Sequence, residues 1–148
     1  MDDAGIRPGQ VVVDLGAGLG ALTGPLLDAG ARVTAVELHP ERADELRRRH
    51  PEAKVVCCPI EDFRWPRHPF RVVANPPFAQ GSALVRALLR SSCTRADLVL
   101  PVQVAQRFAQ LGASGGSYRR LPAAAFRPHA PVPTAVLQLR PGRSRRRG

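Results

Sequence analysis

VVVDLGAGLG, residues 11–20, decides how this chain folds. Three valines, Asp14 and Leu15 run into glycines at 16, 18 and 20. A short apolar run that stops at glycines predicts a strand buried on both faces that leads into a tight loop. Glycine there permits positive φ and lets a ligand approach the main chain. At the carboxyl end of a strand in an open α/β sheet, such a loop lies where ligands bind. The spacing is Gly-x-Gly-x-Gly, not the Gly-x-Gly-x-x-Gly of dinucleotide sites, and a glycine loop alone is weak evidence because tight turns also use glycine.

The flanking sequence alternates in the same way. Strand 10–16 is followed by a helix over 20–30, whose start Gly24-Pro25 delays. Strand 32–38 leads to a helix over 40–50 with Pro40 in its first turn, acids early and arginines late, which suits the helix dipole. Strands 54–58 and 71–74, helix 82–91, strand 96–102, helix 104–111 and a closing strand 134–141 complete the pattern, with GASGGS (112–117) as a loop. This is an α/β chain with a mostly parallel sheet and helices on both faces. Residues 1–141 are read as one catalytic domain and 142–148 as an arginine-rich disordered tail.

The chain has 148 residues and a net charge of +10, and Lys54 is its only lysine. Five arginines lie among the last nine residues, which carry half the excess. A basic body with a basic tail favours a polyanionic partner, and arginine-rich codon usage explains the charge equally well. Cys57, Cys58 and Cys93 have no Cys-x-x-Cys spacing, and His39, His50, His68 and His129 are scattered. That excludes a zinc motif and a disulfide framework, so no metal is expected. No apolar run reaches about 20 residues, so no membrane partner is expected. The expectation is a soluble cytoplasmic monomer with reduced thiols.

Glu37 ends the second strand, 17 residues after Gly20. An acid there can accept both hydroxyls of a ribose; otherwise it is an exposed carboxylate at a strand end. With no lysine near the loop, the cofactor it suits has ribose and adenine but no phosphate, which is S-adenosylmethionine. Asp14 would then orient the loop or reach the methionine end through water. The cofactor-facing set is Asp14, Gly16, Ala17, Gly18, Gly20, Glu37, Leu38, Ile60, Glu61, Asp62 and Asn75.

RVVANPPFAQG, residues 71–81, carries the second chemistry. The lone pair of an aromatic exocyclic amine is delocalised into its ring, which makes it a poor nucleophile. Two carbonyls that accept its hydrogens draw the nitrogen toward tetrahedral geometry. Asn75 supplies one through its side chain and Pro76 the other through its backbone, held rigid by proline. Phe78 offers a face on which an unstacked base can lie. A proline-rich turn with a capping asparagine is the plainer alternative.

Asp14-x-Gly16-x-Gly18-x-Gly20, Glu37 and Asn75-Pro76-Pro77-Phe78 together resemble the class I adenine-N6 methyltransferases, and most closely the ribosomal RNA adenine dimethyltransferases of the Erm and KsgA type. FRPHAPVPTAVLQLRP (126–141) is similar to the Phe-x-Pro…Ala-Val segment that ends their catalytic domain, and VAQRFA (104–109) to their Val-Ala-x-Arg helix. Asn-Pro-Pro-Phe itself is also used by DNA and protein-glutamine methyltransferases, which stay open as alternatives, as does a truncated remnant that only binds RNA. The resemblance covers residues 8 to 140. It implies a seven-stranded Rossmann-like fold and S-adenosylmethionine as cofactor. It implies 23S ribosomal RNA as substrate, with resistance to macrolides, lincosamides and streptogramin B as the consequence. Catalytic roles are implied for Asn75, Pro76, Phe78 and Phe126, the last as a second aromatic against the adenine. The family's acid after the third strand falls near Pro59 here, so Glu61 or Asp62 is expected to take its place. No counterpart of the family's Gln-Asn-Phe segment precedes the first strand, and the helical C-terminal domain has none, as in a short form.

Overall fold

The apolar run at residues 11–15 forms β1 (Val11–Leu15), buried at every residue after the first. A computed structural model describes residues 5–110, 116–122 and 133–141, without the side chains of Phe78 and Gln110. β2 (Arg32–Glu37) and β4 (Phe70–Ala74) pair with β1 in parallel on its two sides, Val12 standing opposite both Val33 and Arg71. β3 (Lys54–Cys57) pairs outside β2, with Thr34 opposite Lys54.

Two helices make the first crossovers. α1 (Thr23–Asp28) begins three residues later than residue 20, with Pro25 in its first turn, where a missing N–H costs nothing. α2 (Pro40–Arg49) ends one residue before the span read from the sequence, with Pro40 at its start and Arg47, Arg48 and Arg49 bonded to Asp44 and Glu45 on its surface. Both helices cover one face of the sheet. Val33 packs with Leu26 of α1, and Ala35 with Leu46 of α2. Side chains alternate along a strand, so Arg32 and Thr34 stand on the other face. The third crossover has no α-helix: a 3-10 turn (Ile60–Asp62) is followed by extended chain in which Trp65 stacks on Phe70 and meets the edge of Phe63.

The chain divides into two compact units, residues 1–74 and 75–148. In the second, α3 (Gly81–Leu89) and α4 (Val102–Gln110) accompany β5 (Cys93–Pro101), β6 (Ser117–Arg120) and β7 (Thr134–Leu139). β7 lies between β5 and β6 and is antiparallel to both, Leu137 standing opposite Leu98 and Tyr118. The strand order is β3-β2-β1-β4 in the first unit and β5-β7-β6 in the second.

β6 corrects the sequence reading, which placed Ser117 in a loop and located no strand here. The strand has four residues, three of them exposed, and ends on Arg119-Arg120, so it shows no apolar alternation. Short, charged strands are what a sheet edge requires. No helix among the described residues is long and apolar enough to cross a membrane. Cys57, Cys58 and Cys93 carry free thiols. The tail 142–148 lies outside the described residues.

Candidate active site

Strand order reverses at β1, with β2 on one side and β4 on the other, and the crevice at such a switch point is where open α/β sheets bind ligands. The glycine loop leaves β1 there. Val36 O accepts the N–H groups of Gly16 (2.9 Å) and Ala17 (3.0 Å), and Ala17 O accepts that of Gly20 (2.9 Å). Glu37 completes the staple. Its Oε1 accepts the N–H of Gly18 at 3.0 Å and its Oε2 that of His39 at 2.9 Å. Glu37 is buried, and each carboxylate oxygen keeps acceptor capacity beyond these bonds.

Two glycines of the loop serve opposite purposes. At Gly18, with φ +58°, an added Cβ would meet nothing within 4 Å, so the main chain is open to a ligand. At Gly20, with φ +93°, an added Cβ would lie 2.7 Å from His50 Nε2 and 3.0 Å from Leu46 Cδ2. Gly20 is therefore a packing residue, which the motif spacing does not reveal. Gly20→Ala is expected to cost about 1–3 kcal/mol, from the disfavoured φ and the contact with His50. Urea unfolding measures it. His50→Ala in the same chain should recover only the contact's share.

Asp14 is 1% exposed, and its Oδ2 accepts the hydroxyl of Thr23 at 2.8 Å. Burial pushes its carboxyl up from 3.8 to about 6, and the Thr23 bond pulls the other way. This side chain ties the end of β1 to the first turn of α1. Sequence reading missed Thr23. The available signal was a hydroxyl residue at the start of a helix, nine positions after a strand-end acid.

Leu19 and Leu38 are the exposed large hydrophobic side chains among the described residues, at 51% and 53%. Leu38 follows Glu37 directly; Leu19, in the loop, was not anticipated. Ile60, Glu61 and Asp62 form the 3-10 turn beyond β3. Glu61 and Asp62 are exposed, and their carboxylates accept no hydrogen bond among the described residues. Partial burial, then the charges of Asp62, Cys57 and Glu61, raise the Cys58 thiol above its ordinary range. Open main chain at Gly18, spare acceptors on Glu37 and apolar surface at Leu38 fit a ribose-and-adenine ligand.

Ala74 ends β4 opposite Leu15, so the chain leaves the sheet beside the start of the glycine loop. Asn75 is exposed, Pro76 buried and Pro77 exposed. No hydrogen bond among the described residues uses the Asn75 carboxamide or the Pro76 carbonyl. Pro77 O accepts the Gln80 N–H at 2.9 Å, closing the 3-10 turn Phe78–Gln80 before α3. The Phe78 side chain and all of Phe126 lie outside the described residues. On α4, Arg107 donates to Ser82 Oγ (3.0 Å) and lies 5.4 Å over the Phe108 ring.

Comparison with known proteins agrees with this geometry. The family model described as ribosomal RNA adenine dimethylase matches residues 1–126. Ribosomal RNA small subunit methyltransferase A of Opitutus terrae is 38% identical over 123 residues, covering 75% of this chain and 44% of that protein. The rRNA adenine N-6-methyltransferase of Corynebacterium diphtheriae is 34% identical over 146 residues, covering 87% of this chain and 57% of that protein. The chain thus spans about half the length of these curated relatives. A crystal structure of the 23S rRNA methyltransferase ErmE superposes with a TM-score of 0.81 at 26% identity, covering 94% of this chain and 64% of that one. With a class I methyltransferase sheet and these matches, the chain belongs to the ribosomal RNA adenine dimethylase family.

Proposed function

We propose that this chain transfers a methyl group from S-adenosylmethionine to the exocyclic N6 of an adenine in ribosomal RNA, with residues 1–141 as the catalytic part. The observation that carries the reading is the exposed Asn75 carboxamide, unpartnered among the described residues and next to a proline carbonyl, in the chain that directly follows β4. Bound S-adenosylmethionine supplies an electrophilic methyl on a sulfonium centre. Glu37 takes the ribose hydroxyls on its spare lone pairs, Gly16, Ala17, Gly18 and Gly20 shape the loop, and Leu38 and Ile60 flank the adenine, with Glu61 or Asp62 accepting its amine. Asn75 and Pro76 accept the hydrogens of the target N6 and align its lone pair. Phe78 and Phe126 are assigned to stacking the flipped base.

The first substrate is 23S rRNA, a choice supported by the likeness to ErmE. Small-subunit rRNA is the second reading, favoured by the 38% identical relative. Methylation of 23S rRNA would leave a host resistant to macrolides, lincosamides and streptogramin B, the chain acting as a cytoplasmic monomer. The test is transfer of tritiated methyl to naked 23S and 16S rRNA side by side, with primer extension to map the adenine. Label on 23S rRNA and a raised macrolide tolerance in cells that express the chain are expected. Label on 16S rRNA alone selects the second reading. Label on DNA or a release factor, with none on rRNA, would overturn both.

A further inference from the structure

A hollow of about 1120 Å³ opens where β1, β2 and β3 begin, its lining including Val11, Arg32 and Lys54. In this parallel arrangement the glycine loop and Asn75 follow the other ends of the strands. Arg32 and Lys54 stand on the face of the sheet opposite α1 and α2, because Lys54 pairs with Thr34 and Arg32 shares Thr34's side of β2. A third cation, Arg64, and the half-exposed Phe63 ring enter from the extended chain after the 3-10 turn.

These cations differ from those of α2. The side chains of Arg32, Lys54 and Arg64 are exposed and make no hydrogen bond or ion pair among the described residues. Arg47, Arg48 and Arg49 are each bonded to Asp44 or Glu45. Two acids, Asp28 and Glu52, also line the hollow, but from the end of α1 and the turn after α2. The three cations thus line the hollow together with an aromatic ring, spread over three separate segments. A single phosphate would need them to converge on one point. A chain of phosphates carrying stackable bases matches the spread.

We infer that this hollow is a second contact site for RNA, holding phosphates of the ribosomal RNA strand at a distance from the adenine being methylated. The inference rests on the rRNA reading proposed above. Contacts of this kind position a substrate and carry no base recognition, so the site acts on RNA affinity and not on the chemical step.

Lys54 gives a direct probe because it is the only lysine in the chain. Acylation of its amine by an N-hydroxysuccinimide acetate, followed by peptide mass spectrometry, is expected to slow at least about tenfold when naked 23S rRNA is added. Polyglutamate and phosphatidylserine vesicles should leave it unchanged. The double variant Arg32→Glu/Arg64→Glu should raise KM for rRNA about tenfold or more while kcat and S-adenosylmethionine affinity hold, and should lower the salt slope of RNA binding by about two. Arg48→Glu on α2, the charge control, should change none of these. Unprotected Lys54, or an unchanged KM in a double variant that still binds S-adenosylmethionine, overturns the inference. Stronger protection by polyglutamate or vesicles than by RNA also overturns it. The acylation measurement needs no substitution, so it stands even if the double variant fails to fold. A wild-type chain that binds no rRNA brings down the rRNA reading itself; one that binds and methylates rRNA with Lys54 unprotected brings down only the second site.

Discussion

Replacing Asn75 by alanine is expected to lower kcat for methyl transfer by about 10²–10³-fold or more, the loss typical of removing one preorganised polar group from a transition state. Alanine leaves the target amine with one carbonyl instead of two, so its lone pair stays delocalised into the ring. The change should be confined to chemistry. Asn75 is exposed and makes no hydrogen bond among the described residues, so its truncation removes nothing that holds the fold. Urea midpoint and S-adenosylmethionine affinity should both stay near the parent values. Asn75→Asp retains an acceptor and should keep part of the activity, with a carboxylate in place of a carboxamide carbonyl. Single-turnover transfer measured with saturating cofactor separates the chemical step from binding. A full-rate Asn75→Ala chain would refute the assignment of the amine-holding carbonyl.

The inner strands were legible because they are largely buried. VVVDL, RVTAVE and RVVA read as strands because strands of a parallel sheet are largely apolar. α2 was legible to within one residue because Pro40 and the late arginines mark its ends chemically. What failed to show was β6. Its pairing to β7 is a matter of backbone hydrogen bonds, and three of its four side chains face solvent. An edge strand contributes no hydrophobic pattern, so only tertiary structure places it.

The candidate site divides along a similar line. Residues proposed to bind through their chemistry stand out by position: Glu37 at a strand end, Asn75 before two prolines. Residues that act by shape or through a partner do not. Gly20 belongs to the glycine motif in sequence, yet its missing side chain makes room for His50, thirty positions away. Thr23 acts only through its bond to Asp14. Both depend on which elements fold back onto which, and spacing along the chain does not encode that.

Asp14 makes the sharpest test of that division. Its native carboxyl holds a proton up to about 6, against 3.8 for the ordinary group, because burial disfavours the charge. Below pH 3.8 both native and unfolded chains are protonated here, and nothing is lost. Between 3.8 and 6 the unfolded chain has released its proton while the native chain retains it, so stability falls as pH rises. Above 6 both are ionised and the deficit stays constant. At about 1.4 kcal/mol per pH unit between the two values, it amounts to about 3 kcal/mol. Asp14→Asn removes this deficit and keeps an oxygen to accept the Thr23 hydroxyl. It is expected to stabilise the chain by up to about 3 kcal/mol at pH 7.5 and to differ little from the parent at pH 4, by urea unfolding at both. A buried charge that weakens the fold, with the Thr23 hydroxyl as its side-chain partner among the described residues, is expected to be retained for what it does to a ligand. S-adenosylmethionine carries positive charge on its sulfonium and its ammonium, and an ionised Asp14 lowers the energy of both. The more stable Asp14→Asn chain should therefore bind the cofactor about tenfold or more weakly, and the parent's own affinity should fall as pH drops through 6. A variant that gains stability without losing affinity would mean that Asp14 only ties β1 to α1.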